Sequence, residues 1–253
     1  MYPEERQQWI VDRARSTGRL EVSAVAEELD VTTETVRRDL KVLERHGLLR
    51  RVHGGAIPVE RLGFEPGLAT RDAVLTTEKE RIAVAALAEL PAEGSILLDA
   101  GTTTARFADV LPRDRELVVL TNGLPIAMSL ASRPNLTVLL LGGRVRGRTL
   151  AAVDAWAQRV LADTYVDVAF LGTNGVSCER GLTTPDTTEA AVKRAMVGAA
   201  RRVVLLADHT KVGSNHLARF AGLEDVDVLV TDSGIEADDV ERLASGGPRV
   251  VVA

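Results

Sequence analysis

Six apolar runs in the chain stop at residues able to hold a ligand. Ile96-Leu97-Leu98 ends at Asp99-Ala100-Gly101-Thr102-Thr103-Thr104, Leu117-Val118-Val119-Leu120 at Thr121-Asn122-Gly123, and Val138-Leu139-Leu140-Leu141 at Gly142-Gly143-Arg144. Val168-Ala169-Phe170-Leu171 ends at Gly172-Thr173-Asn174-Gly175, Val203-Val204-Leu205-Leu206 leads to Asp208-His209-Thr210-Lys211, and Val228-Leu229-Val230 ends at Thr231-Asp232. Glycine lets a backbone approach a ligand closely, and hydroxyls, amides and carboxylates hydrogen-bond it. At the first of these ends, Gly101, the threonine hydroxyls and the amides of a helix start suit a phosphate. The segment lacks the GxxxxGK[ST] spacing of a nucleotide-hydrolysing loop. A threonine-rich helix cap is the competing reading.

A second constellation follows Gly181-Leu182-Thr183-Thr184-Pro185 and opens a helix running to about residue 200. Asp186, Glu189 and Lys193 share one face of it, at spacings of three and four. The plainer alternative is a capping-box variant followed by a Glu189–Lys193 surface pair. Against it stands the chain's use of lysine: only Lys41, Lys79, Lys193 and Lys211 occur among 31 basic residues. Two of the four fall in candidate pocket segments, where a compact ammonium suits a phosphate or carboxylate. His209 and His216 have no third ligand at useful spacing, so no metal is expected. Cys178, the lone cysteine, has no activating partner, excludes an internal disulfide framework and leaves no Cys-based zinc cluster.

Near the N-terminus the chemistry is basic. From Thr33 to Arg45 a helix is predicted, with Thr32 as its cap. At 100° per residue Val36, Leu40 and Leu43 cluster on one side. Arg38, Lys41 and Arg45 take the opposite face, with Glu34 beside them and Arg37 on the flank. Such a helix suits the major groove of DNA: Thr33, Glu34, Thr35 and Arg38 fall near base edges, the remaining bases near phosphates. A strand–turn–strand follows, Leu48-Leu49-Arg50-Arg51-Val52, then His53-Gly54-Gly55, then Ala56-Ile57-Pro58-Val59, reading as a wing against the DNA backbone. Upstream, residues 8–14 form the amphipathic part of a first helix ending at Gly18. Residues 22–29 form a short second helix, joined to the third by the tight turn Asp30-Val31-Thr32. Two short helices so joined are the helix-turn-helix pattern.

The elements that must position these groups divide the chain. Its 253 residues correspond to about 1.7 domains at ~150 residues each. Charged residues at 26% and apolar residues at 45% exclude general disorder. The net charge of -5 argues, taken alone, against a nucleic-acid binder. It is unevenly spread. Residues 1–59 hold ten basic and ten acidic residues, and within them residues 32–54 hold six basic and three acidic, with His46 and His53 besides. We therefore read 1–59 as a winged helix-turn-helix DNA-binding domain, 60–77 as a linker and 78–253 as an α/β domain. In the last, helix-length segments (78–90, 104–111, 124–131, 150–163) separate Val/Leu/Ile strands, the texture of a parallel sheet buried on both faces. Ligands of such sheets bind outside the carboxyl ends of the strands, where the polar ends gather, and this points to one pocket. No apolar run approaches the ~18 residues of a membrane helix, and the acidic start is unlike a signal peptide, so a cytoplasmic protein is expected.

Taken together, Val31-Thr32-Thr33-Glu34-Thr35-Val36-Arg37-Arg38-Asp39-Leu40 and Leu49-Arg50-Arg51-Val52-His53-Gly54-Gly55-Ala56 closely resemble the DNA-binding domain of DeoR-type bacterial transcription regulators. The later motifs resemble that family's effector domain, in order, over nearly the whole chain. The resemblance implies a ribose-phosphate-isomerase-like sensor domain, a phosphorylated sugar or related metabolite as effector, homo-oligomers, and repression of carbohydrate catabolism genes. It implies no catalytic residue and no cofactor. On that footing the phosphate is expected on 101–104, the sugar hydroxyls on Asp99, Asn122, Asp186 or Glu189, and charge balance from Lys193 and Lys211. Around Val153-Asp154-Ala155 the family usually carries a Gly, where this chain has an acid. The rival reading is a sugar-phosphate isomerase with Glu189 as general base, which would use the same pocket but needs no recognition helix.

Overall fold

Two units make up the chain, Met1–Val74 and Leu75–Ala253; the computed structural model describes residues 2–45, 48–58 and 65–253. In the first unit, helix α1 (Pro3–Thr17) stops at Gly18, whose left-handed φ of 73° lets its amide reach back to the Ala14 carbonyl. Then come β1 (Leu20–Glu21), α2 (Val22–Glu28), α3 (Thr33–Arg45), β2 (Leu49–Val52), β3 (Gly55–Pro58) and the short α4 (Leu68–Asp72). The strands form an antiparallel sheet in the order β1-β3-β2. Ile10, Leu20, Val25, Val36, Leu40, Leu43, Leu49 and Ala56 are its common core, so the apolar stripe projected for the third helix does face inward. At Gly55 a Cβ would stand 1.8 Å from the Leu20 carbonyl oxygen, so β3 can lie against β1 only with glycine there. His46, counted with the basic end, together with Gly47 and residues 59–64, lies outside the described residues; the latter include the start of the segment read as a linker.

The second unit begins with α5 (Thr76–Ala86) and continues through β4 (Gly94–Leu98), α6 (Thr102–Asp109), β5 (Leu117–Thr121), α7 (Leu124–Leu130) and β6 (Leu136–Leu140). A hairpin of β7 (Arg144–Arg146) and β8 (Ala151–Val153) leads to α8 (Ala155–Ala162), β9 (Val168–Gly172), β10 (Gly175–Ser177) and β11 (Gly181–Thr184). After these come α9 (Thr187–Gly198), β12 (Val203–Leu206), β13 (Ala218–Ala221), β14 (Val228–Thr231), α10 (Ala237–Ser245) and β15 (Arg249–Val252). All six apolar runs are strands of one seven-stranded parallel sheet, ordered β15-β14-β12-β9-β4-β5-β6, with β15 the strand not read from sequence. Burial on both faces holds for the apolar residues of the inner strands except at Val118 of β5, which is 37% exposed. It fails at the edge strand β6, where Leu139 and Leu140 are about half exposed.

Residues 150–163, read as one helix, begin instead as strand. Ala151–Val153 pairs with Arg144–Arg146, and the helix starts only at Ala155. A second small antiparallel sheet, β10-β11-β13, was likewise not legible as separate pairing. Strand order reverses between β4 and β9: β5 and β6 follow on one side of β4, and β12, β14 and β15 on the other side of β9. Ligands of open α/β sheets usually bind at such a reversal, outside the carboxyl ends of the strands.

Candidate functional site

In the first unit, Thr32 caps α3 by accepting from the Thr35 amide at 3.2 Å, and the two hydroxyls lie 2.9 Å apart. Asp39, on the inner side of the helix, is buried. It accepts from Arg6 Nε at 2.6 Å and Gln7 Nε2 at 3.0 Å, pinning α1 to α3. One of the three acids of the basic segment is thus internal, which sharpens the outer charge. Thr33, Glu34, Arg37, Arg38, Lys41, Arg45, Arg50, Arg51 and His53 are all exposed, and Thr35 is half-buried. Two of the cations have ion-pair partners, Arg37 standing 3.6 Å from Glu34 and Arg51 Nε 2.6 Å from Glu44, and Arg45 Nε donates to the Lys41 carbonyl at 3.4 Å. The Arg51 amide also donates to Glu44 at 3.0 Å, and these bonds hold the Glu44 carboxyl below the usual range. Arg38, Lys41 and Arg50 carry no ion pair among the described residues.

In the second unit the carboxyl ends of β4 and β9 hold a knot centred on Asp99. Its Oδ2 accepts from the Gly172 amide at 2.8 Å and from Lys193 Nζ, so one carboxylate ties the ends of β4 and β9 to α9. Lys193 also donates to the Gly172 carbonyl at 2.9 Å and lies 5.4 Å from the Phe220 ring centroid. Thr104 donates to Asp99 Oδ1 at 2.8 Å and accepts from the Gly101 amide at 2.9 Å. Its hydroxyl thus fixes the loop, while Thr102 and Thr103 open the helix as buried residues. Two helical turns before Lys193, Asp186 caps α9 by accepting from the Thr188 and Glu189 amides at 2.9 Å. Glu189 and Lys193 do not form the surface pair that the plainer reading offered. Glu189 is buried and accepts from Thr149 Oγ1 at 2.5 Å and Arg146 Nη1 at 2.8 Å. Arg146 Nε stands 3.2 Å from Asp186 as well. Burial pushes the Asp186 carboxyl up, but the Thr188 and Glu189 bonds and the Arg146 charge outweigh it and hold it low.

Asn122 and the β7–β8 hairpin form a third group. The Asn122 carbonyl accepts from the Ala152 amide at 2.8 Å, and its Nδ2 donates to the Ala152 carbonyl at 3.0 Å. Its Oδ1 is buried with no partner. Thr121 is buried and accepts from the Gly123 amide at 3.0 Å, a positioning contact. Gly142 and Gly143 lie exposed at the hairpin's entrance. Asp154, at its exit, takes φ 87° and accepts from the Trp156 amide at 3.1 Å and the Arg144 amide at 3.3 Å. The backbone there is of the kind only glycine adopts without strain.

Asp208 is buried beside Thr210 and lies 3.5 Å from Lys211. Burial raises its carboxyl, and the charges of Lys211 and Lys79 with the Thr210 hydroxyl bring it below its ordinary value. Thr173 and Asn174 link β9 to the small sheet, which begins at Gly175. The Thr173 hydroxyl donates to Gly175 O at 2.8 Å, and Asn174 Oδ1 accepts from Thr184 at 3.0 Å. The structure therefore joins Asp99, Gly101, Thr104, Gly172 and Lys193 directly, connects them along α9 to Asp186 and Glu189, and leaves Asp208 and Lys211 as a separate pair. Arg146 and Thr149 were missed in the sequence. Nothing local marks them, because their partners lie 40 residues away, though Arg146 follows the Gly142-Gly143 end by only a few positions. Among the described residues no group of three or more His, Cys, Asp or Glu stands ready for a metal.

The comparisons agree with this division. Residues 6–61 match the family description "DeoR-like helix-turn-helix domain", and residues 75–233 match "DeoR C terminal sensor domain". The chain is 39% identical over 252 residues to the HTH-type transcriptional regulator GlpR of Haloferax volcanii, covering 99% of this chain and 98% of that one. It is 33% identical over 232 residues to the transcriptional repressor AccR of Agrobacterium fabrum, covering 91% and 90%. Among solved structures it is similar to ribose 5-phosphate isomerase A of Neisseria gonorrhoeae, with 17% identity, a TM-score of 0.40, and coverage of 58% of this chain and 56% of that one.

Proposed function

The chain belongs to the DeoR family of transcriptional regulators, and from that premise we propose that it represses carbohydrate catabolism genes under the control of a phosphorylated sugar or related metabolite. It is a regulator and not an enzyme. The rival isomerase reading needed Glu189 as a general base, but that carboxylate is already engaged by Arg146 and Thr149. The observation that carries the proposal is α3: a capped helix whose inner face is core and whose outer face offers Arg38 and Lys41 unpaired among the described residues. Beside it the β2–β3 wing adds Arg50. Arg38 and the first turn of α3 are assigned to base edges, and Lys41, Arg45 and Arg50 to phosphates.

Sensing is assigned to the carboxyl ends of β4 and β9, with the α6 start, Asp99, Asn122 and the α9 carboxylates around the ligand. Support for a ligand there is the unpartnered, buried Asn122 Oδ1, since buried polar atoms normally have partners. Binding must favour one arrangement of the DNA-binding heads over another, because equal affinity for both states shifts nothing. We assign the working protein to homo-oligomers placing two heads on paired half-sites, and to the cytoplasm; among the described residues no helix is long and apolar enough to cross a membrane.

The test is operator binding by fluorescence anisotropy, on DNA fragments upstream of the genes adjoining this one. Arg38→Ala should weaken specific binding about 10–100-fold and relax preference at one base position. Unchanged affinity for a fragment that the wild type binds specifically would remove Arg38 from the interface.

A further inference from the structure

Lys193 and Lys211, the cations expected to meet a phosphate, already face Asp99 and Asp208. Arg146 faces two carboxylates at once, Asp186 at 3.2 Å and Glu189 at 2.8 Å, in a setting where its side chain is only 13% exposed. We propose that Arg146 receives the phosphate of the effector, and that in the empty protein Asp186 and Glu189 hold it in reserve. The assignment rests on reading this unit as a sugar-phosphate receptor and deepens it by naming the residue and the exchange.

The exchange follows from counting what each group needs. One guanidinium against two carboxylates leaves the cluster net negative. A bare phosphate approaching it would strip Arg146 away and leave two poorly solvated carboxylates with one fewer donor, which is costly. An unphosphorylated sugar can give hydroxyl donors to Asp186 and Glu189, but it then leaves the guanidinium without an anion. A polyol carrying a phosphate satisfies both sides. Its hydroxyls donate to the carboxylates, and its phosphate takes the planar guanidinium through two parallel bonds. Asn122, 4% exposed, supplies a further acceptor for a ligand hydroxyl: its Nδ2 is fixed on the Ala152 carbonyl while Oδ1 has no partner.

Location turns the exchange into a signal. Arg146 ends β7, and Thr149 lies in the turn that closes the β7–β8 hairpin, with the Leu150 amide returning to the Arg146 carbonyl at 2.7 Å. The hairpin is anchored to the end of β5 through Ala152 and Asn122; β8 packs its apolar residues in the same core as α9, and the polar tie to α9 runs through the Arg146–Thr149 end. Moving Arg146 from α9 to a ligand changes what that end is tied to. A purely structural strap would affect stability alone.

Thermal shift and calorimetric titration with pentose and hexose phosphates, each beside its unphosphorylated parent, separate the outcomes. The wild type should bind at least one phosphorylated member, about 100-fold more tightly than its parent sugar, as expected when a buried charge would otherwise lack its partner. In Arg146→Gln that ratio should collapse to within about 3-fold, and Arg146→Lys, which keeps the charge without the fork, should fall between. Should Arg146→Gln fail to fold, Arg146→Lys carries the comparison. A wild type that binds a member while both variants keep the full ratio overturns the Arg146 assignment alone. Silence of the wild type across the panel overturns the receptor reading and this inference with it.

Discussion

Asp232, buried at the end of β14, accepts from the His209 amide and from His209 Nδ1, each at 2.8 Å, and from the Gly234 amide at 3.0 Å. Burial alone would raise its pKa. The His209 and Gly234 bonds outweigh that and lower it from 3.8 to about 2. A carboxyl depressed in the folded state stabilises the fold above its unfolded pKa, and that contribution is lost as pH falls through the folded value. Between about pH 4 and pH 2 the wild type should therefore lose stability that Asp232→Asn does not have to lose. Urea titrations across that window would show it as a shallower pH slope for the variant, and parallel slopes would remove Asp232 from the acid response. Residues of this kind were legible in sequence only as types. Asp39 entered the sequence only as one acid in a charge count, yet it binds Arg6 across 33 positions, and no local pattern announces such a partner.

Among the elements, strands with strong apolar runs were legible, as were the capped helices of the reading head, because burial and capping act over a few neighbouring residues. The β7–β8 hairpin was not. Ala151-Ala152-Val153 runs straight into the apolar stripe of α8, and what makes it strand is pairing with Arg144–Arg146 and with Asn122, contacts beyond any local period. For the same reason the Gly142-Gly143 end was legible as a loop while the two residues that carry its chemistry, Arg146 and Thr149, were not. The joint between hairpin and α8 is strained at Asp154, where glycine would hold φ 87° without cost. Asp154→Gly should relieve about 1–3 kcal/mol of backbone strain. It gives up a cap that glycine replaces at a loss of a few tenths. A net gain of about 1 kcal/mol is expected, visible as a higher melting temperature of the sensor unit. A lower one would show that the Asp154 bonds to Arg144 and Trp156 outweigh the strain.

At the scale of the whole molecule, the net charge of -5 describes neither half. The reading head sets its exposed cations on α3 and the wing, and the acidity lies in the remainder of the chain. DNA affinity should accordingly fall steeply with salt, and Lys41→Ala should weaken binding to all sequences alike and reduce the log–log salt slope by about 1. A slope equal to the wild type's would place Lys41 off the backbone. The pairs Glu34–Arg37 and Glu44–Arg51 then acquire a kinetic meaning. Exposed pairs of this kind contribute little, so an operator that also engages base edges displaces them readily. Random chromosomal DNA offers phosphates without a matching pattern of base edges, and against those a head with two of its arginines already occupied should dwell more briefly at each stop. The same carboxylates that dilute the charge should thus shorten the search for an operator.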